Sequence, residues 1–266
     1  MKLRVLVIIT VMAVCARGAV FANGIVEERT ANDYDALSEK VFDYLDVYDY
    51  ASAIPLLERM HKIRPEELDV IEALGVFYMF LPEERPAFTN TLLWLKEAEK
   101  RGSSFNMVYF NLACIYSLEG EVEKSVTEMN KAVALGYTNF EWMNFYDDLE
   151  NFRTSSWWKG IRNNYSWIRQ LLSQFNEYVS GKNDKSDIDR ITFYGSIITA
   201  FKTLAPNIPA LQSLPFYYLA STYEDIEDYA QAKQSYLEVK NILETVLGKN
   251  HPDYIQVLKK LDDLPR

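Results

Sequence analysis

The stretch Asn111-Leu112-Ala113-Cys114-Ile115-Tyr116, followed by Gly120 and then by Ser125, Met129 and Ala132, decides the fold of this chain. A small residue beside Leu, a Tyr three places on, a Gly, and then small and apolar residues at helical spacing describe two helices folded back on each other. The small side chains let the helices approach closely, and the larger ones fill the seam. The arrangement recurs along the chain. One period earlier, Leu74, Gly75 and Tyr78 take the same three places in a first helix. The second helix there, Asn90 to Arg101, needs a four-residue insertion around Pro82–Pro86 before Leu95 and Ala98 fall into register. Another period back, Tyr44 takes the tyrosine place, Ala53 the small place, Leu57 the large apolar place and Pro65 the end. Further on, Leu219-Ala220, Tyr223, Ala232 and Tyr236 repeat the scheme.

This pattern resembles the tetratricopeptide repeat (TPR), a helix–turn–helix unit of about 34 residues. With Leu112 in the family's leucine place, its other characteristic places hold the expected residue or a close relative, apart from Met129 in an aromatic place. The resemblance covers three consecutive repeats over residues 34–137 and one more from about residue 213. It implies an all-α, TPR-like α-solenoid: stacked antiparallel helix hairpins in a right-handed superhelix with a concave face. An unrelated bundle of amphipathic helices would explain the apolar spacing, but not the small residues at the repeat interval.

The first residues read differently. Lys2 and Arg4, the apolar run Val5–Val14 and the small residues before and at Ala22 have the plan of a secretory signal over residues 1–22. The run is about ten residues, short of the roughly 20 that cross a bilayer. A retained anchor is one competing reading. A lipoprotein acylated at Cys15 is another, although Val14 stands where such signals carry a small residue. The signal reading implies export, to a bacterial periplasm or cell envelope, and Cys15 would add a peripheral or lipoprotein association with the membrane. Beyond residue 22 no apolar stretch approaches span length.

Composition narrows the function classes. Of 266 residues 48% are apolar, too many for a disordered chain, and 10 Gly, 9 Pro and 2 Cys exclude collagen-like and disulfide-scaffold classes. Without Lys2, Arg4 and Arg17, the remaining residues carry 25 basic against 38 acidic side chains. That surface repels phosphate backbones, so no nucleic acid is expected as a partner. Cys114 is then the single cysteine, and no intramolecular disulfide can form.

After the signal the sequence divides into an array at 23–137, a capping segment with additional helices at 138–206, and a TPR-like hairpin with a capping helix at 207–266. Thr138 and Glu141 have capping-box spacing ahead of Asn139–Ile161, whose aromatics look like a segment that closes TPR arrays. Helices are predicted over Asn163–Val179 and Asp187–Leu204, separated by the polar stretch Ser180–Asp184. The last hairpin runs to Leu247, and Gly248–Tyr254, with His251-Pro252, resembles the turn of the kinesin-light-chain TPR variety. Leu258, Leu261 and Leu264 then mark a capping helix, and His251 reads as structural.

Chemistry is sparse. His61 and His251 are far apart, and no His-x-x-x-His, Cys-x-x-Cys, phosphate loop or Gly-x-Ser-x-Gly occurs. Asn183, Asp184, Asp187 and Asp189 lack the Gly and closing Glu of a calcium loop, and Asp43, Asp46 and Asp49 read as an exposed acidic face. No catalytic residue, metal site or cofactor is expected.

What remains is binding. The resemblance implies a partner groove lined by Phe42, Asp69, Glu72, Val76, Met79, Phe110, Asn111 and Cys114. Aromatic, Met and acidic side chains suit an amphipathic or basic segment of another protein, so the expected partner is a protein or peptide. The carboxylate-gripping TPR subclass needs basic residues here, and only its Asn is present, as Asn111. Packing between repeats is the competing role for Phe42, Met79 and Phe110. Trp142, Trp157, Trp158 and Trp167 either close the core or, as an alternative function, hold a small molecule or glycan.

Overall fold

A computed structural model describes residues 25–84, 88–180 and 185–265. The signal reading of 1–22, its Cys15 alternative and residues 181–184 of the polar stretch, Asn183 and Asp184 included, lie outside them. Among the described residues every regular element is helical, so the all-α, solenoid-type class holds. The described residues form two compact units, dividing between Ser103 and Ser104, inside the stretch read as one array.

The first unit contains α1 (Ile25–Asp46), α2 (Tyr50–Ile63), α3 (Leu68–Tyr78) and α4 (Thr89–Lys100), each packed on the next. Asp49 caps α2 by accepting the Ser52 N–H at 3.1 Å, and Pro65 follows its end. The expected insertion has a structural task. It forms a 3-10 turn at Pro82–Glu84, from which the Glu84 carboxylate accepts the N–H groups of Asn90 and Thr91 at 2.9 and 3.2 Å. Two donors that the first turn of α4 leaves unpaired are thus satisfied from six and seven residues upstream.

The second unit begins with α5 (Asn106–Leu118) and α6 (Val122–Ala134), then short α7 (Phe140–Phe145), two 3-10 turns and α8 (Ser156–Ile161). It continues with α9 (Tyr165–Ser180), α10 (Asp187–Leu204), a 3-10 turn at Pro209–Gln212, α11 (Ser213–Asp225), α12 (Tyr229–Val246) and α13 (Pro252–Asp263). The capping box at Thr138 and Glu141 is not formed. Asn139 is the N-cap of α7 and makes no side-chain cap bond, while Glu141 pairs with Arg169 of α9. The closing segment does return to α5: the Phe152 N–H donates to Ser117 Oγ at 3.1 Å, and Asn151 Nδ2 donates to the Ser117 carbonyl at 2.8 Å.

Three hairpins, α1–α2, α5–α6 and α11–α12, close in the same way. Tyr48, Gly120 and Glu227 hold equivalent corners, all left-handed, with φ of 61°, 77° and 61°. The corner N–H donates to Leu45, Ser117 and Glu224 respectively, each at 3.0 to 3.1 Å. The next N–H donates to Tyr44, Tyr116 and Tyr223, at 2.9, 2.8 and 2.9 Å. The three repeat tyrosines therefore mark one recurring backbone geometry, a Schellman-type helix end. The seams agree as well: Ala53, Ser125 and Ala232 in the small place, and Leu57, Met129 and Tyr236 in the large one, are all fully buried.

Candidate functional site

The second unit contains a cleft of about 240 Å³ between the end of α6, the start of α11 and the α12–α13 pair. Ala134 closes it at the α6 end, and Leu214 and Tyr217 reach it from α11. Val239 and Leu243, one turn apart and so on one face of α12, form a buried wall with Val257 of α13. The lining Ser213 is turned to backbone: its hydroxyl donates to the carbonyls of Ala134 at 3.3 Å and Ala210 at 2.8 Å. Polar character comes from two α13 residues, Asp253 and Gln256.

Local sequence places Asp253. Gly248, at φ 87°, ends α12, and its N–H donates to the Leu243 carbonyl at 3.1 Å. His251 is the N-cap of α13, its Nδ1 accepting the Asp253 N–H at 3.2 Å. The Ser104 hydroxyl donates to Asp253 Oδ1 at 3.1 Å. His251 Nδ1 also lies 4.0 Å from the Asp253 carboxylate. Glu244 on α12 differs. Hydrogen bonds from Lys240 and Lys249, both at 3.0 Å, hold its carboxyl down to about 2.

The cleft is smaller than the roughly 300–1,000 Å³ of small-molecule pockets. Its volume and apolar walls suit one or two inserted side chains.

The residues expected in a groove are distributed over both units. In the first, Phe42 and Asp69 are half-buried, whereas Glu72, Val76 and Met79 are buried. Glu72, 4% exposed, accepts the Ser103 hydroxyl at 2.5 Å. Burial pushes its carboxyl up to about 7, against the Ser103 bond, with nearby Asp69 adding to the rise. In the second unit Phe110, Asn111 and Cys114 are buried. The Phe110 ring stacks on Tyr137 at 4.5 Å, and Asn111 Nδ2 has no hydrogen-bond partner among the described residues. Trp157 and Trp158 come together around Phe152 in the core, with Trp157 Nε1 donating to Asn130 at 2.8 Å. Trp142 is half-buried and stacks on Tyr146, and Trp167 is 61% exposed. Among the described residues no three His, Cys, Asp or Glu side chains gather as a metal site, and no helix is long and apolar enough to cross a membrane.

Sequence reasoning missed the cleft. The groove places of the second repeat fall on Asp69 and Glu72, and the same register on Leu219 falls on Leu214 and Tyr217. That extension was available. The walls from α12 and α13, and the end of α6, belong to no groove place.

The tetratricopeptide-repeat family profile matches residues 108–135, which are the α5–α6 hairpin. That hairpin is a tetratricopeptide repeat. No curated protein and no solved structure matches the chain. Repeats of this kind serve in general as protein-interaction scaffolds.

Proposed function

We propose that this protein is an exported, non-catalytic scaffold that captures a segment of a partner protein, and that the second unit's cleft seats the segment's anchoring side chain. One observation carries the reading: an open apolar cleft of about 240 Å³ beside a hairpin in TPR register. Burying a Leu- or Phe-sized side chain contributes about 1.5–3 kcal/mol, and interfaces concentrate their energy in such anchors. In the first unit, Phe42 and Asp69 keep part of their surface exposed. Export to a periplasm or cell envelope follows from the signal reading of residues 1–22.

A photo-crosslinking amino acid at Leu214, tested in intact cells, should trap a partner protein that the same group at Leu93, an exposed residue of α4, does not. Equal products from both positions, or none from Leu214, would overturn the assignment of the cleft. No protein product, together with a tryptophan-fluorescence response to oligosaccharides, would move the function to the Trp segment.

A further inference from the structure

The carboxylates of the helices that form the cleft are unequal. Glu244 holds two lysines, Lys240 and Lys249. Glu224 pairs with Lys260 at 3.1 Å and also accepts the Tyr236 hydroxyl at 2.9 Å. Asp253 lines the cleft with a side chain 36% exposed, yet its side-chain partner is the neutral Ser104 hydroxyl, and among the described residues no Lys or Arg pairs with it. The start of α13 offers it only a fraction of a positive charge. The cations on α12 and α13 that pair with acids are thus committed elsewhere, while one negative charge stands beside apolar walls. Self-pairing would have kept the cleft neutral; leaving Asp253 open gives it a sign.

We infer that the captured segment carries a large apolar side chain, seated against Val239, Leu243 and Val257, with a Lys or Arg next to it that pairs with Asp253. Gln256, exposed on the same helix, supplies amide hydrogen bonds for the segment's backbone. Charge complementarity selects this occupant over an acidic segment, and a carboxylate beside a low-dielectric wall repels anions most effectively. The inference rests on the capture reading but is separable from it.

The test uses the full chain and a phage-displayed library of random dodecapeptides. Enriched peptides should place Phe, Trp, Leu or Met directly beside Lys or Arg. A fluorescein-labelled version of the best peptide is then compared with its Lys→Gln counterpart by fluorescence polarisation. The loss of the cation should weaken binding roughly threefold on the wild type, as for a partly exposed pair, and not on Asp253→Asn. Raising salt from 0.05 to 0.5 M provides a variant-free measurement: it should weaken the Lys peptide and leave the Gln peptide nearly unchanged. Apolar peptides enriched without regard to charge would overturn the inference and leave capture standing. A cation preference that survives in Asp253→Asn would overturn the role of Asp253. No enrichment at all would remove the capture reading, and this inference with it.

Discussion

Gly75 on α3 and Gly195 on α10 both lie inside helices, where glycine costs about 1 kcal/mol relative to alanine. Their surroundings are opposite. A Cβ on Gly75 would meet Leu95 Cδ2 at 2.6 Å and the Leu95 backbone N at 3.1 Å, whereas one on Gly195 would meet nothing within 4 Å. The α3–α4 hairpin is a repeat seam, in which one helix lies almost against the backbone of the other. The α9–α10 pair is joined through rings: Tyr178 stacks on Phe193 with centroids 3.8 Å apart, and Phe175 meets Tyr194 edge-on at 6.0 Å. Missing side-chain volume is therefore required in the first pair and unused in the second.

The strongest way to break this contrast is Gly75→Leu. It should cost about 3 kcal/mol or leave the first unit unfolded, because the Leu95 backbone cannot withdraw as a side-chain tip can. Urea denaturation followed by far-UV circular dichroism checks it, and an unchanged midpoint would refute the close seam.

The same helix supplies the next effect. Burial raises the Glu72 carboxyl to about 7, so the native state binds that proton more tightly than the unfolded chain does. Its contribution to stability is full below about pH 4.5, falls as pH rises, and is lost above about 7. The rise corresponds to a loss of the order of 2–3 kcal/mol. Glu72→Gln keeps an acceptor for the Ser103 hydroxyl and has no charge to bury. Its denaturation midpoint should fall less between pH 5 and pH 8 than that of the wild type, and parallel curves would contradict the buried acid.

The smallest effect has the opposite sign. Gly195→Ala should stabilise by roughly 0.5–1 kcal/mol, since helix propensity improves and nothing collides. A loss of stability in thermal melts would mean that α10 has a close neighbour on that face.

Much of the fold was legible because close approach constrains residue size. Ala113, Ser125 and Ala132 could be read as a seam, and all three are fully buried. The α10 boundaries, Asp187 to Leu204, agree with the predicted ones because Ser186 caps the start by accepting the Asp189 N–H at 3.2 Å. The capping box at Thr138 was misread, since a surface Glu has more than one use and Glu141 found Arg169. The site was less legible than the fold. A repeat pattern assigns places on one helix at a time, while the cleft needs Val239, Val257 and Ala134 from three helices, and residues 134 and 257 are brought together only by tertiary packing.

The corners at Tyr48 and Glu227 bear on how such proteins are recognised. L-residues are held there in a backbone conformation that sterically favours glycine, at a cost of roughly 1 kcal/mol each. The matched hairpin is the one whose corner is Gly120. Its two counterparts draw the same bend with different letters, so the repeat in this molecule is more visible in its hydrogen-bonding diagram than in its spelling.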